Sequence, residues 1–160
     1  MTLSPEQAYA RLADRCATAE MCAHEALSKL QQWDVPYNLA IKIVQRLINE
    51  RFIDDERFAA IWVRDRIQNA HWGIIKIRQS LKQKNIDSDI IHKAISQNVN
   101  EELYFRNLAA ALRSKARALS NPLTYTDKLK LARFAIGRGY EPDLVQDMIA
   151  DEDYWRNDNE

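Results

Sequence analysis

Three stretches of this 160-residue chain share one pattern, and that internal repeat constrains the fold more than any other feature. They start at Leu30, Leu81 and Ala135, and each passes through a short polar turn into a segment with apolar residues three and four apart. The turns hold Asp34, Asn85 and Gly139, the residue types that best tolerate the left-handed backbone common at helix C-termini. An apolar residue follows each one: Val35, Ile86 and Tyr140. Pro36, Asp87 and Glu141 come next, as first-turn residues of a new helix. The local unit is therefore helix, tight turn, helix. Offsets of 85 − 34 = 51 and 139 − 85 = 54 residues leave room for one more helix per unit. The pattern predicts an all-α chain of three tandem three-helix, helix-turn-helix-like repeats. Their expected spans are 1–53, 54–99 and 100–151, with an acidic tail over 152–160 that frays.

Local signals place the individual helices. Ser4-Pro5-Glu6-Gln7 combines a cap, a first-turn proline and a capping-box glutamine. Thr18 is expected to cap the second helix, Asp54-Asp55 the fourth, Asn100 the seventh and Thr126 the eighth. Gly73 opens the fifth helix, and Asn121-Pro122 separates the seventh from the eighth. In the tail, only Tyr154 and Trp155 have the side chains to dock elsewhere.

Composition narrows the class. Only 3 glycines and 4 prolines argue against a sheet rich in tight turns. No apolar run approaches the roughly 18 residues of a membrane span, and Met1–Glu6 does not resemble a signal peptide. Two cysteines near one end fit a reduced, cytoplasmic protein better than a disulfide framework. The net charge of zero hides a separation. Residues 61–140 carry 15 Lys+Arg against 6 Asp+Glu, net +9, whereas 141–160 carry 1 against 8, net −7. That asymmetry suits a polyanion-facing middle and an acidic end.

Enzymatic motifs are weak, so the expected protein is not an enzyme. Glycines at 73, 137 and 139 form no phosphate-binding loop, and no serine sits in a nucleophile elbow. Cys16, Cys22 and His24 match no common zinc spacing, which favours buried thiols; His71 and His92 read as surface or packing residues. No metal or cofactor is expected. Asp54-Asp55-Glu56 is the densest carboxylate cluster, and its position at a helix start favours capping over metal binding.

The basic residues carry more information. Arg106, Arg113 and Arg117 lie 7 and 4 residues apart, within about 40° of one another on a helix. Arg64, Arg78, Lys82, Lys128, Lys130 and Arg133 extend the set with few acids between them. Such a surface suits phosphates, a contact that is strong, salt-dependent and blind to sequence.

The run Phe52-Ile53-Asp54-Asp55-Glu56-Arg57-Phe58-Ala59, followed by Trp62-Val63-Arg64, Trp72-Gly73-Ile74, Ile77, Leu81 and Lys84-Asn85-Ile86, resembles the signature of the RecX family. Asn85 stands where the family usually has glycine. The resemblance implies an elongated, curved helical array, cytoplasmic and monomeric. Such a protein binds the RecA recombinase filament on single-stranded DNA and limits its ATPase, strand exchange and co-protease activities, within DNA repair, recombination and the SOS response. The nine basic residues above are then the candidate contact face. Asp54, Asp55, Arg57, Phe58, Ala59 and Gly73 are signature positions with mainly structural roles. The main alternative is a sequence-specific helix-turn-helix DNA binder. The acidic ninth helix (Glu141, Asp143, Asp147) and a sixth helix with only Lys93 fit a major groove poorly. A metal-dependent nuclease built on Asp54, Asp55 and Glu56 is a further alternative.

Overall fold

In the computed structural model, residues 3–157 are described, and they are helical without a strand. The elements are α1 (Pro5–Thr18), α2 (Ala23–Gln32), α3 (Tyr37–Asn49), α4 (Asp55–Gln68), α5 (Ile74–Gln83), α6 (Ser88–Asn98), α7 (Glu101–Ala116), α8 (Tyr125–Gly137), α9 (Pro142–Ala150) and α10 (Glu152–Arg156).

The three repeated turns share one geometry. Asp34 (φ 58°), Asn85 (φ 55°) and Gly139 (φ 98°) are all left-handed. In each, the next amide donates back across the turn: Val35 N to Leu30 O at 3.0 Å, Ile86 N to Leu81 O at 3.2 Å and Tyr140 N to Ala135 O at 3.2 Å. This is a Schellman ending, which satisfies a helix carbonyl and brings an apolar pair together. Both members of each pair are buried, so the turn is locked by packing as well as by hydrogen bonding.

Helix starts follow capping chemistry, and Thr18 and Thr126 depart from the sequence expectation. Thr18 ends α1 rather than opening α2, and its hydroxyl donates to Arg15 O. α2 begins at Ala23, where Glu25 accepts from Cys22 N at 3.2 Å. Thr126 lies inside α8, and Thr124 is the cap: it accepts from Asp127 N while Asp127 accepts from Thr124 N, both at 3.1 Å. The reciprocal box needs a carboxylate three residues on; Asp127 meets that requirement for Thr124, whereas Thr126 has Leu129 there.

The tail also departs from expectation. Glu152–Arg156 form α10, and Trp155 is fully buried, its indole donating to Ile149 O at 3.3 Å. Burial of one large aromatic outweighs the polar composition around it. The end of the expected tail, 158–160, lies outside the described residues.

The chain divides into two compact units. The first comprises residues up to Trp62 together with Leu81–Ala94. Its core joins Ala8 and Leu12 of α1, Ala26 and Leu30 of α2, and Ala40, Ile43 and Leu47 of α3. The second comprises Val63–Ser80 and the chain from Ile95 onward. There α7 packs on α8 and α10, and α9 packs on α8 and α10, around buried Leu108, Leu112, Leu131, Tyr140, Val145 and Trp155. No described helix is long and apolar enough to cross a membrane.

Candidate nucleic-acid interface

The signature residues make local structural contacts. Asp54 accepts from Arg57 N at 3.1 Å and caps α4. Asp55 instead reaches the start of α2 and accepts from Ala23 N at 2.9 Å. Glu56 pairs with Lys93 at 3.7 Å. The three carboxylates thus serve three different partners. Arg57 pairs with Glu20 at 2.7 Å and donates to Arg51 O and Phe52 O, closing the turn after α3. Phe58 is buried and stacks on Trp62 at 5.6 Å, with the Lys84 ammonium 5.0 Å from the Trp62 ring; Ala59 is fully buried beside them. His24 Nδ1 lies 3.1 Å from Asn85 Nδ2, and both Cys16 and Cys22 are free thiols. Burial pushes the Cys22 thiol up to about 11, so it is protonated and unreactive at neutral pH.

In the second unit a backbone crossing sets the start of α5. Gly73 N donates to Arg138 O at 2.8 Å, and Ile75 N to Gly139 O at 2.9 Å. The intervening Ile74 N donates to the Tyr104 hydroxyl at 3.0 Å. Three amides that a helix leaves unsatisfied are therefore met from the α8–α9 turn and from α7. The crossing needs two glycines: a Cβ on Gly73 would sit 2.0 Å from Gly139 C, and one on Gly139 would sit 2.4 Å from Lys76 Cβ. Tyr104 also hydrogen-bonds Glu141, and burial followed by that bond holds its phenol above the ordinary range. The Tyr140 phenol, donating to His71 O at 3.0 Å, is pushed up by burial to about 12.

The basic candidates are carried by this framework. Tyr104, Leu108, Leu112 and Ala116 face inward from α7, which turns Arg106 and Arg113 to another side of the same helix; Arg117 is the C-cap residue just past its end, with helical backbone angles that continue the line. Arg106 and Arg117 are exposed and no described residue pairs with them. Arg113 is half-buried and donates to Trp155 O at 2.9 Å and Asn157 O at 3.4 Å, so it also fastens α10 to α7. On α8, Lys128, Lys130 and Arg133 are all exposed. Lys130 and Arg133 fall within about 60° of each other, while Lys128 points some 140° or more away. Arg64 is exposed and donates to Asn98 Oδ1 at 3.0 Å; Arg78 is half-buried. Lys82 falls in the first unit and the other candidates in the second. The geometry thus gathers the α7 arginines into one line and Lys130 with Arg133 into another, without placing all nine on one helix face.

Between α7 and α10 lies a pocket of about 330 Å³ lined by Arg106, Asn107, Ala110, Arg113, Tyr154 and Asn157 among others. Its α10 wall was not expected from the sequence. The available signal was the pair Tyr154-Trp155, two aromatics in an otherwise polar stretch.

Residues 54–95 match the model of the RecX second three-helix domain. A regulatory protein RecX of Streptococcus uberis is 33% identical over 126 residues, covering 73% of this chain and 44% of that protein. The regulatory protein RecX of Levilactobacillus brevis is 27% identical over 154 residues, covering 96% of this chain and 58% of its own. The chain belongs to the RecX family. It spans about half the length of the curated RecX relatives it matches. Two solved RecX structures share the fold. The crystal structure of RecX from Lactobacillus salivarius superposes with a TM-score of 0.81 at 19% identity, covering 94% of this chain and 97% of that one. A second crystal structure of a regulatory protein RecX gives 0.80 at 28% identity, covering 92% and 72%.

Proposed function

We propose that this protein is a cytoplasmic, monomeric regulator without catalytic activity that binds RecA filaments on single-stranded DNA and restrains RecA's ATPase, strand exchange and co-protease functions. Its repeats would span 1–53, 54–99 and 100–151, with the basic candidates meeting the DNA backbone or acidic filament surfaces. The observation that carries the reading is the α7 line, where exposed Arg106 and Arg117 have no described partner. Unneutralised cations on a rigid helix suit a repeating row of phosphates. Several weak contacts along a filament would add as avidity. The RecX names of the relatives support the choice of partner.

The deciding experiment pairs co-sedimentation with RecA filaments, with and without single-stranded DNA, with RecA ATPase measurements. The unmodified protein should pellet with filaments and inhibit turnover at less than one copy per RecA. A triple Arg106→Ala, Arg117→Ala, Arg133→Ala variant should need about tenfold more protein for the same inhibition, at unchanged melting temperature. Arg113 is left intact because it fastens α10. Undiminished inhibition by the triple variant would remove these side chains from the contact face.

A further inference from the structure

We propose that the pocket between α7 and α10 receives one splayed nucleotide of a single strand, with Tyr154 as the surface on which its base stacks and Arg106 as the phosphate contact. This rests on the polyanion-binding reading above and deepens it, by naming a place where the protein touches a base.

The observations converge from the two walls. At about 330 Å³ the pocket falls at the lower end of the roughly 300–1,000 Å³ of small-ligand sites, a size for one flat ring and its sugar rather than a peptide. The α7 wall ends in exposed Arg106, whose charge no described residue neutralises. The α10 wall presents the Tyr154 ring, 42% exposed. Among the described residues, no carboxylate lines the pocket. The α10 wall is fixed in advance, because Trp155 is fully buried and Arg113 holds the Trp155 and Asn157 carbonyls.

Tyr154 also differs from most rings of this protein. Arg46 lies 3.6 Å from the Tyr9 ring, Arg11 5.2 Å from Trp33, Lys76 4.3 Å from Trp72 and Arg138 4.9 Å from Phe134. No described cation or ring faces Tyr154. An aromatic face left open beside an arginine is the arrangement that single-strand binders use, where bases stack and cations follow the backbone. A paired duplex offers no base face to such a ring, so the ligand is single-stranded.

Fluorescence anisotropy with labelled oligothymidylate and with an abasic strand of the same length tests this. Tyr154→Ala should weaken thymidylate binding about fivefold to a hundredfold and leave the abasic strand unaffected. Ala110→Leu, which fills the pocket from an exposed position on α7, should produce the same selective loss without removing a ring. Arg106→Ala should weaken both strands. If Tyr154→Ala and Ala110→Leu bind both strands like the unmodified protein, the pocket proposal is wrong while the charged face stands. If the unmodified protein binds neither strand, the pocket proposal falls, and the filament reading is judged by its own co-sedimentation test.

Discussion

Among the described residues, five adopt a positive φ, and Gly139 is the only one without a side chain. Asp34 and Asn85 tolerate the conformation, but Arg51 (φ 62°) and His71 (φ 55°) do so against their preference, at about 1–2 kcal/mol each. Arg51→Gly should therefore stabilise the protein by up to about 1 kcal/mol, once the greater chain entropy of glycine is subtracted. Gly139→Ala should destabilise it by more than about 2 kcal/mol, because the new methyl group would meet Lys76 N at 2.7 Å. Urea unfolding of the two variants reads both signs. Asp127 is a second sensitive point. Its carboxylate accepts from the Ser120 hydroxyl and then from Thr124 N, which holds its pKa below the usual carboxylate range. A depressed pKa means stabilisation that is complete above the ordinary value of about 3.9 and is lost as pH falls through the folded value. Amide exchange in the first turn of α8 should accelerate only in that acidic window, and Asp127→Asn should flatten the dependence. The Asp34, Asn85 and Gly139 sites were legible because the repeat aligned three tolerant residues. Arg51 and His71 were not, since neither residue type announces a left-handed turn.

At the level of elements, α10 shows how little composition decides when one side chain is anchored. A five-residue helix has no independent stability in water. It persists because Trp155 is fully buried and because Arg113 and Ile149 pair with its backbone carbonyl and its indole. Trp155→Ala should cost about 3–5 kcal/mol and release the segment, seen as rapid proteolysis after α9 at temperatures where the rest stays folded. Tyr154→Ala, by contrast, should leave the unfolding free energy within about 1 kcal/mol of unmodified, because its ring is partly solvated. The starts of α1, α4 and α7 were readable from Ser4, Asp54 and Asn100, whose side chains cap within three residues. Asp55 was misplaced because its partner, Ala23, lies 32 residues earlier, beyond any local signal.

For the molecule as a whole, a net charge of zero conceals a basic middle whose proposed contact with a strand salt should reveal. Each phosphate neutralised on a single strand contributes a slope of roughly −0.7 to the logarithm of affinity against the logarithm of salt concentration. Removing Arg106, Arg117 and Arg133 together should reduce the magnitude of that slope by roughly 2 if each meets one phosphate. An unchanged slope, measured by anisotropy over a salt series, would mean that these cations lie away from the strand. Duplexes of different sequence should bind with similar affinity, since phosphate contacts carry no sequence information.

The amino-acid sequence by itself determined the nine helices of the repeats, the three repeated left-handed turns and the family signature, because each depends on residues within a few positions of one another. Periodicity, capping and turn preference are short-range quantities. Only the tertiary structure decided that Gly73 and Gly139 must both lack a Cβ, that Arg113 is a fastener while Arg106 is open, and that Glu152–Arg156 folds back as the wall of a pocket. Those outcomes join residues 42 to 66 positions apart, and which groups meet across such distances is settled by packing rather than by local preference.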